Sequence, residues 1–214
     1  MNLHRMLCQR ALADRPVRVG LIGAGKFGAM FLAQAGRTPG LHVLGIADLD
    51  PARARATLAR VGWTEDRYAA RSLDAALKDG TTHIGDDSMA LIKAGGLDVV
   101  VDATGDPAAG IRHALAACDA GKHIVMVNVE ADALAGPLLA RRAASAGVVY
   151  SLAYGDQPAL IAEQVDWARA AGFDVVAAGK GTKYLPEYHA STPETVWPYY
   201  GLTAEAAAAG GMNP

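Results

Sequence analysis

VRVGLIGAGKFG, Val17–Gly28, is a run of strand-forming residues that breaks into Gly23-Ala24-Gly25-Lys26-Phe27-Gly28 and continues as a helical pattern to Gly36. The spacing is G-x-G-x-x-G. In a chain with 24 glycines such a spacing also arises by chance, so its weight comes from its surroundings. It ends a strand-like run, opens a helix, and is followed by Asp48 at the end of the next strand-like run, His42–Asp48 (HVLGIAD). That combination marks a dinucleotide-binding βαβ unit. Gly23 permits the tight turn, Gly25 lets the backbone approach a pyrophosphate, and Gly28 lets helix and strand pack closely. The N–H groups at the helix start, where Lys26 and Phe27 stand, face the phosphates. Asp48 suits the adenine ribose hydroxyls and favours NAD, whereas Arg53 and Arg55 suit a 2′-phosphate, so NAD and NADP both stay open. The alternative is a glycine turn that binds nothing.

Working outward, short β-branched runs alternate with Ala- and Leu-rich stretches, the pattern of a parallel sheet. Helices are expected over Lys26–Gly36, with Phe27, Met30, Phe31 and Ala35 on one face, and over Pro51–Val61, with Asp50 as N-cap. Gly62–Gly96 divides less clearly, into a strand near Thr82–Ile84 and a helix over Asp87–Lys93. Asp98–Asp102 (DVVVD) reads as a strand buried on both faces, and Asp106-Pro107 starts a helix to Ala120. His123–Val129, a helix over Ala133–Ala146, Val148–Ala153, a helix over Pro158–Ala171 and Phe173–Ala178 complete the alternation. The expected fold is α/β, a doubly wound parallel (Rossmann) sheet of six or seven strands with the beginning of a second, catalytic domain. Its parts are an amphipathic helix over residues 1–16, the dinucleotide domain over 17–153, and an incomplete catalytic or dimerisation domain over 154–214.

The 214 residues carry a net charge of −2, which gives no broad attraction to nucleic acid or an anionic membrane. No charge-free stretch reaches the roughly 20 residues of a spanning helix, and Arg5, Arg10 and Arg15 break up any apolar leader. Two cysteines, Cys8 and Cys118, make no framework, and a cytoplasmic location is expected. None of the six histidines pairs at the spacing of a zinc helix, and no G-x-S-x-G elbow exists. Metal and serine-nucleophile chemistry therefore find no support in the sequence.

Ligands in open α/β sheets sit beyond the carboxyl ends of strands. That singles out Thr104 and Gly105, then Asn128 and Glu130, then Tyr154–Pro158, as the surroundings of a nicotinamide. Lys180 and Lys183, on the glycine-hinged run Gly179–Tyr184, are placed to grip a carboxylate, a phosphate or a developing alkoxide. A solvated helix-start carboxylate at Glu130 and a plain surface turn at the lysines are the bland alternatives.

The glycine loop, DATGDP (Asp102–Pro107), AGKHIVMVN (Ala120–Asn128), GDQP (Gly155–Pro158) and GKGTKY (Gly179–Tyr184) together resemble homoserine dehydrogenases. The resemblance is closest to the homoserine-dehydrogenase-like proteins that carry a C-terminal SAF domain, a group that includes deoxyxylulose-phosphate-reductoisomerase-like enzymes. There a stretch similar to Gly179–Gly201 (GKGTKYLPEYHASTPETVWPYYG) is distinctive. The resemblance implies an NAD(P)-dependent oxidoreductase acting on a CH–OH group of a small-molecule substrate, with a homodimer or higher homo-oligomer and a longer chain than this one. Homoserine dehydrogenases have Asn-Lys after the fifth strand where this chain has Asn128-Val129, which disfavours homoserine. Lys180 in place of their asparagine points instead to an anionic, sugar-derived substrate and to an oxidoisomerase as a variant of the activity. A non-catalytic NAD(P) sensor and homoserine dehydrogenase itself are the alternatives.

Overall fold

A computed structural model describes residues 2–155, 157–179 and 185–209. Six strands, β1 (Val17–Ile22), β2 (Leu41–Ala47), β3 (His83–Gly85), β4 (Val99–Asp102), β5 (His123–Met126) and β6 (Tyr150–Leu152), form one parallel sheet. Their order is β3-β2-β1-β4-β5-β6. The helices are α1 (Leu3–Leu12), α2 (Lys26–Ala35), α3 (Pro51–Arg60), α4 (Leu73–Asp79), α5 (Ser88–Ile92), α6 (Pro107–Asp119), α7 (Val129–Ser145), α8 (Gln157–Ala170) and α9 (Ala204–Ala209). The winding reverses between β1 and β4, and such a reversal opens a crevice at the carboxyl ends of the strands.

Both faces of the sheet are covered, which is why its strands are apolar almost throughout. Val19 and Leu21 of β1, with Val43 and Ile46 of β2 and Val101 of β4, pack beneath Leu32 and Ala35 of α2 and Ala54 and Leu58 of α3. Ile22, Leu44, Val100, Ile124 and Met126 face the other way, under Leu91 and Ile92 of α5, Ala114 and Ala117 of α6, and Ala131 and Leu139 of α7. No helix among the described residues is long and apolar enough to cross a membrane.

The doubly wound sheet matches the sequence reading, with four corrections. Phe173–Ala178 forms no strand: residues 173–179 have no regular structure and Val176 is 95% exposed. A β-prone run becomes a strand only where a sheet edge takes up its backbone groups. The buried face of α2 is Gly28, Ala29, Leu32 and Ala35; Phe27 and Phe31 lie at its margin, and Met30 is 54% exposed. α7 starts at Val129, because the Asn128 side chain accepts from Ala131 N and caps the helix four residues early. α4 was not foreseen; Ser72 caps it and Gly80, at φ +69°, ends it.

The chain divides into two compact units, Met1–Glu163 and Gln164–Pro214, where the sequence reading places its boundary after residue 153. In the second unit the ring of Tyr188 meets that of Tyr199 edge-on, with centroids 4.7 Å apart.

Candidate active site

A cleft of about 560 Å³ opens at the carboxyl ends of β1, β2 and β4. The glycine loop forms its floor. Gly23 has φ +93°, and a Cβ there would stand 2.8 Å from Ala103 O; a Cβ on Gly28 would stand 2.5 Å from Gly23 O. Both glycines are therefore required by the close approach of β1, α2 and the β4 loop. A Cβ on Gly25 would meet no protein atom within 4 Å, and this residue lines the cleft. α2 also differs from its neighbours at its N-terminus. α1 and α3–α7 each have a side-chain oxygen capping the first turn, whereas α2 begins on Gly25 with none and has no acidic residue in its first turn. Its first N–H groups and the positive end of its dipole are left for a ligand anion.

Asp48, at the end of β2, is locked to this loop. Its Oδ2 accepts from Ala24 N at 2.7 Å, and its Oδ1 accepts from Asp50 N at 2.9 Å and Arg53 Nη2 at 2.7 Å. The Asp48 side chain is 2% exposed and that of Arg53 is 60% exposed. Burial alone would push this carboxyl up. The hydrogen bonds from Ala24, Asp50 and Arg53, with the guanidinium charge, outweigh burial and hold it below its ordinary value. A depressed carboxyl contributes stability above its unfolded value, about 3.9, and that contribution is lost as pH falls through the lower folded value. Below about pH 4 the wild type should therefore lose more stability than Asp48→Asn, read as melting temperature against pH. Parallel curves would show that Asp48 carries none of the acid sensitivity. Arg55 is turned away, its Nη1 donating to Tyr68 O at 3.4 Å, so of these two arginines Arg53 is the one that lines the cleft.

Opposite Asp48 runs a buried polar chain. Asp102, at the end of β4, is fully buried; its Oδ1 accepts from Thr104 N at 3.0 Å and Thr104 Oγ1 at 2.7 Å. Its Oδ2 accepts from His113 Nδ1 on α6 at 2.6 Å, and His113 Nε2 lies 2.9 Å from Ser88 Oγ at the start of α5. Asn128 continues the chain, donating to Thr104 Oγ1 at 3.1 Å and to Asp106 O at 2.8 Å. Ser88, His113, Asp86 and Arg112 line the cleft with Thr104 and Gly105.

The structure thus gathers Gly23, Gly25, Asp48, Arg53, Thr104 and Gly105 around one cleft, with Gly28 beneath it. Lys26 is exposed and Phe27 half-buried at the start of α2; neither lines the cleft. Asn128 is buried and braces α7 against the β4 loop, while Glu130 is exposed in the first turn of α7. Lys180 and Lys183 lie outside the described residues. The sequence reading missed Ser88, Asp102 and His113. The available signal was a histidine on the otherwise small and apolar buried face of α6 (Gly110, Ala114, Ala117), one helix after a strand ending in aspartate. No group of three or more His, Cys, Asp or Glu side chains among the described residues could hold a metal.

Comparison with known proteins gives a family match on the later part of the chain. Residues 155–214 match the model described as Oxidoreductase DRL, catalytic domain, a span that includes the distinctive Gly179–Gly201 stretch. No curated protein matches the chain. A homoserine dehydrogenase from Thiobacillus denitrificans is similar in structure, with TM-score 0.52 and 19% identity over 64% of this chain and 29% of that one. An NAD binding oxidoreductase from Klebsiella pneumoniae has TM-score 0.49 and 24% identity over 73% of this chain and 39% of that one. The WlbA dehydrogenase from Bordetella pertussis, in complex with NADH and UDP-GlcNAcA, has TM-score 0.48 and 19% identity over 74% of this chain and 44% of that one. At these identities the likeness is one of fold, and the chain spans less than half the length of each of the three.

Proposed function

We propose that this chain binds NAD or NADP in the cleft and belongs to an oxidoreductase acting on a small, hydroxylated, anionic substrate. The observation that carries the reading is the joint geometry of the glycine loop and Asp48. The loop backbone is open at Gly25 and braced at Ala24 by the same carboxylate that would meet a ribose. The residues present fit a dinucleotide. The α2 N-terminus would hold the pyrophosphate, Asp48 Oδ2 retains a lone pair for a ribose hydroxyl, and the exposed Arg53 guanidinium beside Asp48 would pair with a 2′-phosphate. The nicotinamide, when bound, supplies the hydride chemistry. The chain's own residues position: Thr104 and Gly105 border the cleft, Asn128 holds the start of α7 against the β4 loop, Glu130 orients the substrate, and Lys180 and Lys183 hold its anion. Support for the oxidoreductase class comes from the match at residues 155–214 and from the likeness of fold.

Arg53 separates the two cofactors. A charge-assisted bond to phosphate is worth about 1.5–3 kcal/mol; at 60% exposure solvent screening reduces this toward the lower end. Arg53→Ala should therefore weaken NADPH about tenfold and NADH no more than about twofold, measured by fluorescence titration. Equal losses for both would remove Arg53 from 2′-phosphate recognition.

A further inference from the structure

Ser88, His113 and Asp102 have no role in the function proposed above, yet they form an ordered chain that ends in the cleft wall. We infer that this chain makes Ser88 a reader of the dinucleotide's base, selecting adenine through its 6-amino group; the inference rests on the proposal that the cleft binds NAD(P).

The direction of each hydrogen bond follows from the buried end. The Asp102 carboxylate accepts from Thr104 N, Thr104 Oγ1 and His113, so His113 carries its proton on Nδ1. In the neutral imidazole Nε2 is then an acceptor. Where the imidazole is neutral the Ser88 hydroxyl donates to it, which leaves only lone pairs of Ser88 Oγ for the cleft. The wall at this point is an acceptor, and its polarity is set one full side chain away at Asp102. His113 is buried and Ser88 half-buried, so the arrangement is held by α5, α6 and β4 together rather than by one mobile side chain.

The position suits a base. The ribose-facing pair Asp48 and Arg53, the exposed Leu49, and Ser88 line the same cleft. Leu49, 96% exposed next to Asp48, offers an apolar surface for a flat ring, with Arg112 also in the lining. An acceptor at the ring's edge matches the 6-amino group of adenine and opposes the 6-oxo group of hypoxanthine. Asp86, beside Ser88 in the lining, is exposed and also an acceptor; its charge adds to the same preference without depending on His113.

The test compares NADH with its hypoxanthine analogue, reduced nicotinamide hypoxanthine dinucleotide, as direct binding titrations. Wild type should bind NADH roughly three- to tenfold more tightly than the analogue, the worth of one neutral hydrogen bond. Ser88→Ala should lower the ratio by weakening NADH alone, leaving only the part that Asp86 supplies, and Ser88→Thr should restore it. Asp102→Asn is the sharper variant. Its amide oxygen keeps the two Thr104 donors, and its amide nitrogen donates to His113 Nδ1, so His113 is protonated on Nε2 and the Ser88 hydroxyl is freed to donate into the cleft. The preference should then shift toward the hypoxanthine analogue, which a merely structural Asp102 would not produce. An unchanged ratio in Ser88→Ala, with both dinucleotides still bound, would overturn the base-reading role alone. Binding of neither dinucleotide by folded wild type would overturn the cofactor reading and this one with it.

Discussion

Replacing Gly28 by alanine is expected to abolish detectable dinucleotide binding and to cost the fold about 1–3 kcal/mol, the range for overpacking a tight contact. The added Cβ would stand 2.5 Å from the carbonyl oxygen of Gly23, a backbone atom that cannot rotate away. α2 would have to lift from β1, taking with it the N–H groups that face the cleft. The matched control is Gly25→Ala. There the new methyl meets no protein atom within 4 Å, so the fold should lose no more than about 1 kcal/mol, the cost of alanine at an N-cap. Binding should nevertheless fall at least tenfold, because the methyl occupies the path by which a pyrophosphate approaches the backbone. Melting temperature and NADH affinity, measured on both variants, separate the two glycines. Equal stability losses would mean that the loop's packing had been misread, and unimpaired binding in Gly25→Ala would place the pyrophosphate elsewhere.

Asp102→Ala should be the most damaging single change to stability among those considered. The carboxylate is fully buried and serves three donors, Thr104 N, Thr104 Oγ1 and His113 Nδ1. Removing it leaves all three inside the protein without their acceptor, a loss of about 3–5 kcal/mol by analogy with breaking one side of a buried pair. In a domain whose total stability is about 5–15 kcal/mol, the melting temperature should drop on the order of 10 °C. The damage should also spread. Asn128 rests on Thr104 Oγ1, so the start of α7 loses its brace, and amide exchange there should quicken ahead of global unfolding. Asp102→Asn keeps an acceptor for Thr104 and should recover more than half of the lost stability. A drop of only a degree or two in Asp102→Ala would show that the chain from Ser88 to Asn128 is ornamental to the fold.

How much of this was legible beforehand differs between fold and site. The winding of the sheet follows from local signals that tertiary structure did not override: apolar strands, a glycine turn, and N-caps at Asp50 and Asp106. The failures have physical causes. Phe173–Ala178 has strand propensity but no pairing partner among the described residues, and propensity alone does not form a strand. Asn128 was read as a site residue when its amide caps α7 and ties it to the β4 loop, because asparagine after a strand serves either purpose equally well in one dimension. The glycine loop and Asp48 were legible as a pair because their spacing is short and their chemistry specific. Ser88, Asp102 and His113 were not, since their meeting depends on three elements brought together by the sheet order, and no spacing in the sequence encodes it. The charged residues at the cleft fared unevenly: Asp48 and Arg53 were named as site residues and Asp106 as a helix start, while Asp86 and Arg112 enter only through the packing of β3 and α6.

The most direct test of the account is calorimetric titration of this chain with NADH and NADPH. The prediction is saturable binding of one dinucleotide per chain, lost in Gly25→Ala while that variant keeps its melting temperature within a few degrees. A folded wild-type chain that binds neither dinucleotide, or a Gly25→Ala variant that binds as well as wild type, would contradict the assignment of the cleft.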